Sequence, residues 1–288
     1  MATDVAAAET YAGRAYEIYW GKTAERPAPA VVLLHGGKSD GATLRQLIQF
    51  ETTADQYGLV AIFPSAPGNF WNDGRGVALG DEAGRDDAAY LANLVRHLGA
   101  QGKIEQGRVF FAGISNGGGM AMRMACAYPQ LVAGLGVVAT KAFRPFTCDG
   151  YQPVPTLFFH GTADRISPHA GRATGREGLG FKNKGKTYSS AETVEIWREM
   201  QGCAKRAHQA DINKNAEDDS RARLYDFQDC TASLKYYEII DGGHTWPGAR
   251  EPGRRFLQRL LGPTNQDISA NAAMVETWLG YYSISNNN

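Results

Sequence analysis

No stretch of the chain approaches the roughly 18 consecutive apolar residues that a membrane-spanning helix requires, so a helical span is not expected and no membrane partner is called for. Neither sign of charge is in excess: Lys and Arg number 30, Asp and Glu also 30. The global basic footprint of a nucleic-acid-binding chain is therefore missing. The first thirteen residues hold no Lys or Arg and no continuous apolar core, so they do not read as a signal peptide. On that reading the chain is either intracellular or a mature secreted one to which Met1 was added. Internal repeats and low-complexity runs are lacking apart from Asn286, Asn287 and Asn288. What remains is ordinary globular material, 43% hydrophobic and 21% charged over 288 residues, long for one domain and short for two.

Short apolar runs alternate with amphipathic stretches. Val31–Leu34, Leu59–Phe63, Val109–Phe111, Leu135–Ala139, Thr156–Phe159 and Leu234–Ile240 read as buried parallel strands. Leu44, Leu47, Ile48 and Ala54 share one helical face; Ala88, Leu91, Val95 and Leu98 share another, with Gly99 at a left-handed C-cap. Further helices run from Met120 to Ala127, through Val194, Trp197 and Met200, and from Val275 to Tyr282. The alternation implies an α/β fold, a mostly parallel doubly wound sheet with helices on both faces. Residues 1–288 read as a single catalytic domain. Residues 165–232 break the rhythm and read as one long insertion over a face of that domain.

Gly113-Ile114-Ser115-Asn116-Gly117 follows a strand and opens a helix, the context that makes G-x-S-x-G a nucleophile turn. Its acid and base partners should follow in that order, each in a loop after a strand. Asp164 lies just past Thr156–Phe159, and His244 just past Leu234–Ile240. Asp241 is the rival acid, but it stands three residues before His244 and reads as orienting that loop. His35 reads as shaping a loop, His160 as bonding locally at its strand end, His97 as helical, and His169 and His208 as surface groups. His35-Gly36-Gly37 resembles the H-G-G oxyanion loop of hydrolases, so the backbone N–H groups of Gly37 and Asn116 are the expected oxyanion donors. This chemistry calls for neither a cofactor nor a metal.

The set HGG, GISNGG, HGTAD and GGHTWPG, spread over residues 15–282, resembles the α/β-hydrolase family of polyhydroxybutyrate depolymerases and related feruloyl and acetyl-xylan esterases. The resemblance implies an α/β-hydrolase fold, a serine hydrolase with Ser115, Asp164 and His244 as triad, and export from the cell to the medium or periplasm. It also implies Trp246 as a wall of the acyl pocket and Trp71, in Asn69-Phe70-Trp71, as a second aromatic wall. The chain departs from many relatives in having Gly37 where they have Cys.

Four cysteines make an even count. Cys203 and Cys230 bracket a weakly apolar segment and read as a disulfide; Cys126 and Cys148 either pair or stay as thiols, the thiol being favoured for Cys126 in its apolar helix. Zero net charge conceals an asymmetry. Arg165, Arg172, Arg176, Lys182, Lys184 and Lys186 follow the acid against Glu177 alone, and Arg250, Arg254, Arg255 and Arg259 follow the histidine against Glu251. Lys38, Lys141 and Arg144 follow other strands. A basic rim would concentrate a polyanion. Poly(aspartic acid) hydrolases belong to the same resemblance group and the chain resembles them, which together with the rim implies as substrate a carboxylate-rich polymer such as poly(aspartic acid), cleaved at its amide through an acyl-enzyme. The alternative is a polyhydroxyalkanoate, feruloyl or acetyl-xylan ester. The partner is polymeric or oligomeric substrate, and a homodimer is compatible with the sequence.

Overall fold

The computed structural model describes residues 7–79, 82–178, 183–251 and 255–285. Strands β1 (Ala7–Tyr11), β2 (Arg14–Trp20), β3 (Ala28–Leu34), β4 (Val60–Pro64), β5 (Ile104–Ile114), β6 (Gly134–Val138), β7 (Thr156–Gly161), β8 (Ala207–Ile212), β9 (Arg221–Phe227) and β10 (Leu234–Ile240) form one sheet in the order β1-β2-β4-β3-β5-β6-β7-β10-β9-β8. The six strands from β4 to β10 in that order are mutually parallel. Both flanks are antiparallel.

Helices α1 (Gly41–Ile48), α2 (Glu51–Tyr57), α3 (Asp87–Ala100), α4 (Asn116–Ala127), α5 (Ser190–Met200), α6 (Arg255–Leu261) and α7 (Ala270–Ser285) complete the described elements. The alternation along β3 decides their sides. Ala30, Val32 and Leu34 join the apolar cluster containing Leu91 of α3, Met120 of α4 and Trp197 of α5. Val31 and Leu33 join that of α1, α2 and α7. There Trp278 stacks on Phe110 at 4.9 Å, beside Gly134, where a Cβ would fall 2.6 Å from the indole. Burying an aromatic side chain of this size stabilises by roughly 1.5–3 kcal/mol. This is the doubly wound α/β-hydrolase fold.

Local chemistry sets the helix ends. Asp40 caps α1 by accepting from Thr43 N–H at 2.7 Å, and Ser189 with Glu192 forms a reciprocal capping box on α5. The apolar stripe from Leu44 to Ala54 is split into two helices, because Gln49 is left-handed with φ 47°. Gly99 is not a left-handed cap. It lies inside α3, where a Cβ would strike the Gln106 side chain, and Gly102 carries the positive φ of 64°.

The segment read as an insertion over one face runs differently. After α5, β8 and β9 form a hairpin that continues the sheet beyond β10. The β1–β2 hairpin at the other edge was also not expected; its outer strand is short and largely exposed, leaving little apolar pattern to read. Cys203–Cys230 is a disulfide as anticipated, and Cys126–Cys148 is one too. The thiol preference for Cys126 is therefore corrected. The residue ends α4 half-buried, within reach of the loop after β6.

Candidate active site

Ser115 follows β5, Asp164 follows β7 and His244 follows β10. These strands are parallel, with only β6 between β5 and β7, so all three residues emerge at one edge of the sheet.

Backbone sterics build the Ser115 turn. Ser115 sits at φ 56°, ψ −119°, a conformation costly for a residue with a Cβ. Its amide is held by Val138 C=O at 2.8 Å. The glycines on either side permit the turn: a Cβ on Gly117 would lie 2.1 Å from Leu34 O, and one on Gly113 would lie 2.4 Å from Gly117 C. Buried Asn116 ties the turn to the next loop. Its Oδ1 accepts from Trp71 N–H at 2.7 Å, and its Nδ2 donates to Trp71 O at 2.9 Å and Asp73 Oδ2 at 2.7 Å. Among the described residues, neither Asn116 N–H nor Gly37 N–H has an acceptor within the protein. Both stand beside Ser115, Asn116 by sequence and Gly37 next to Gly36, whose Cβ position is 3.5 Å from Ser115 Cβ.

Hydrogen bonds build the Asp164 turn. Asp164 Oδ1 accepts from Ile166 N–H at 2.9 Å and Ser167 N–H at 2.7 Å. Its Oδ2 accepts from His244 Nδ1 at 2.7 Å and His160 Nε2 at 3.2 Å. Burial pushes this carboxyl up, but His244 and the donors around it outweigh that and hold it well below the carboxylate range. His160 Nε2 also donates to Ser167 O at 2.9 Å, while its Nδ1 faces Ser190 Oγ at 2.9 Å. Burial, helped by Lys141, pulls the His160 pKa down to about 4, so it is the neutral tautomer that supports Asp164. The acid and histidine loops are zipped together. Thr162 N–H donates to Ile239 O at 2.9 Å and Ala163 N–H to Gly242 O at 3.0 Å, and a Cβ on Gly161 would lie 2.2 Å from Gly242 O.

Asp241 is exposed, and its amide donates to Thr162 Oγ1 at 2.8 Å, a loop-orienting contact. His35 is fully buried; its Nδ1 bonds Gly36 O and its Nε2 accepts from Ala66 N–H. His169 is not a surface group: it is half-buried and bonds Tyr236 Oη at 2.7 Å. His160 is more than a local strand-end contact. Its signal was the H-x-x-x-D spacing, which sets the ring beside the carboxylate.

Neither tryptophan is a wall of an open site. Trp71 is 0% exposed and its Nε1 donates to His35 O at 3.1 Å; Trp246 is 1% exposed and its Nε1 donates to Asn271 Oδ1 at 2.9 Å. Both are struts of the loops they belong to. The aromatic facing the glycine loop is Phe70, half-buried, whose ring leaves no room for a Cβ on Gly37.

The expected rim divides. Lys38, Arg165, Lys186 and Arg250 are exposed, and Lys184 is half-buried. Lys182 and Arg254 lie outside the described residues, and Arg255 opens α6. Lys141 is instead fully buried and Arg172 is 4% exposed, its Nε donating to Glu177 O and its Nη2 to Ile166 O. Arg75 pairs with Asp73 and donates through Nη1 to Lys184 O at 3.3 Å. Among the described residues no cluster of three or more His, Cys, Asp or Glu could hold a metal.

Residues 14–146 match the family model described as Esterase PHB depolymerase. Over 135 residues the chain is 34% identical to a poly(3-hydroxybutyrate) depolymerase of Ralstonia pickettii, covering 44% of this chain and 27% of that protein. It is 23% identical over 256 residues to feruloyl esterase B of Piromyces equi, covering 84% of this chain and 44% of that one. The chain thus spans less than half the length of either relative. Among solved structures, an acetyl xylan esterase from Aspergillus awamori superposes with a TM-score of 0.55 at 17% identity, over 86% of this chain and 93% of that one. The resemblance carried by the four motifs is borne out, and so is the fold.

Proposed function

We propose that the chain is a serine hydrolase of carboxylic esters, with Ser115 as nucleophile, His244 as general base and acid, and Asp164 as the orienting carboxylate. The observation that carries this reading is the 2.7 Å contact between Asp164 Oδ2 and His244 Nδ1 at the sheet edge where the strained Ser115 turn emerges. Ser115 Oγ attacks the ester carbonyl while His244 Nε2 takes its proton. The tetrahedral oxyanion is received by Asn116 N–H and Gly37 N–H, each such donor being worth about 10²–10³ in rate. The C–O bond to the alcohol breaks as His244 returns the proton to the leaving oxygen, and water then cleaves the acyl-enzyme by the same steps. The esters to try first are those in the names of its relatives: 3-hydroxybutyrate oligomers, feruloyl esters and acetylated xylan. Export to the periplasm or medium fits two disulfides, which persist in oxidising compartments.

A second reading is cleavage of poly(aspartic acid) at its amide. What favours it is the set of exposed cations at the same edge, Lys38, Arg165, Lys186 and Arg250. A panel of the three esters and poly(aspartate), run beside fluorophosphonate labelling, decides. Turnover of esters with Ser115 labelled supports the first reading; turnover of poly(aspartate) alone moves the second ahead; no labelling of Ser115 overturns both.

A further inference from the structure

We propose that Lys141 is a positioning residue for the Asp164–His244 pair, its ammonium fixing the acid turn through Ser167 and keeping His244 ready to accept a proton. This rests on the reading of that pair as catalytic.

Lys141 stands three residues past the end of β6, the strand beside β7, and is 0% exposed. Its Nζ donates to Ser167 Oγ at 2.8 Å and Ser167 O at 3.1 Å. Ser167 N–H in turn donates to Asp164 Oδ1 at 2.7 Å. One residue therefore links the ammonium to the carboxylate. Ser167 O also accepts from His160 Nε2 at 2.9 Å, so Lys141 and His160 grip the same carbonyl from two sides. A buried ammonium is expensive unless something uses its charge. Among the described residues no carboxylate contacts Lys141 directly, and a methionine would fill the same space at lower cost. The groups that face it are Asp164 and His160 from β7 and its turn, His169 and Arg172 from the segment beyond, and Arg75 from the loop after Trp71. Asp164 alone among them is anionic. Burial, with Arg172 next, brings Lys141 down to about 7, so below that pH it is the ammonium that Ser167 accepts from.

The sign follows. A cation behind Asp164 offsets part of the charge that stabilises the imidazolium. It thereby favours neutral His244, the form that accepts the Ser115 proton. Removing it makes His244 hold its proton to higher pH, and the acid limb of kcat/KM reports that group in the free enzyme.

The experiment compares wild type, Lys141→Met and Ser167→Ala on a small neutral ester across pH. Lys141→Met should move the acid limb up by roughly one pH unit, the order expected for loss of a unit charge one residue removed from the carboxylate that holds His244. It should lower kcat more than it raises KM, and it should shift the low-field His244 Nδ1–H proton resonance. Ser167→Ala keeps the charge and the carbonyl contact, so its limb should move far less. In wild type with ¹³C-labelled lysines, the Lys141 ε-carbon should keep its ammonium shift through the pH range of the acid limb, a readout that needs no variant to fold. A folded Lys141→Met with unchanged limb and resonance overturns the proposal, and so does a Lys141 ε-carbon that has already lost its ammonium shift within the pH range of the acid limb. Hydrolysis surviving in Ser115→Ala would instead overturn the triad reading itself.

Discussion

The turns that carry Ser115 and Asp164 are held in place by opposite means. The Ser115 turn is held by close backbone packing: neither position 113 nor position 117 has room for a Cβ. The Asp164 turn is held by attraction, with four N–H donors on two oxygens and Lys141 donating to Ser167 behind them. A sterically built turn fails abruptly when a Cβ is added. A turn built from hydrogen bonds fails by degrees and responds to pH.

The largest expected effect tests whether the steric turn serves chemistry at all. Ser115→Ala should lower kcat on a small ester by up to about 10⁶, as for other triads, with an unchanged circular dichroism spectrum. Next comes the acid turn. Asp164→Asn should cost about 10⁴ by leaving His244 in the wrong tautomer, and Asp241→Asn should cost little; the reverse result in the same kinetics would transfer the role of acid to Asp241. The third compares glycines directly. Gly117→Ala should lower the denaturant midpoint by an amount equivalent to about 1–3 kcal/mol or more, the usual cost of overpacking. Gly107→Ala, with nothing within 4 Å of its Cβ position, should leave the midpoint almost unmoved.

The fourth prediction probes the attractive turn through pH. His160 has its folded pKa lowered to about 4 from an ordinary 6.5, so its contribution is present above pH 6.5 and is lost as pH falls towards 4. Unfolding free energy should fall across that window by up to about 3 kcal/mol in wild type, and His160→Gln should flatten the fall; equal slopes would mean that His160 charges without cost. The smallest effect concerns the rim. Raising salt from 0.1 M to 1 M shortens the screening length from about 10 Å to about 3 Å. Turnover of a polyanion at low concentration should drop several-fold, and that of a neutral ester should hardly change. Matching salt responses would leave Lys38, Arg165, Lys186 and Arg250 as plain solvated charges.

The same contrast explains what could be read from sequence. Steric exclusion writes itself as glycine at fixed spacing, so Gly113, Ser115, Gly117 and the strand–turn–helix around them were legible. The order of acid and histidine, each past an apolar run, was legible too. Attraction leaves a fainter trace. Nothing in the chain marks Lys141 as buried and Arg165 as exposed; that depends on how Ser167, Lys186, Thr187 and Tyr188 meet the loop after β6. Trp71 and Trp246 were misread because an aromatic next to a site residue is as well suited to bracing a loop as to facing solvent. The β8–β9 hairpin escaped notice because edge strands are half exposed, and their apolar period is diluted by residues such as His208 and Asp211.

That hairpin bears on the order in which the molecule is built. β8, β9 and β10 are joined by short connections into an antiparallel meander whose contacts are local in sequence, whereas β10 meets β7 across more than 70 residues. Local pairings form quickly, and distant parallel ones wait on loop closure. The meander can therefore assemble as a unit before it docks. Docking along β7 is what carries His244 to Asp164, so that contact waits on a pairing of long sequence separation.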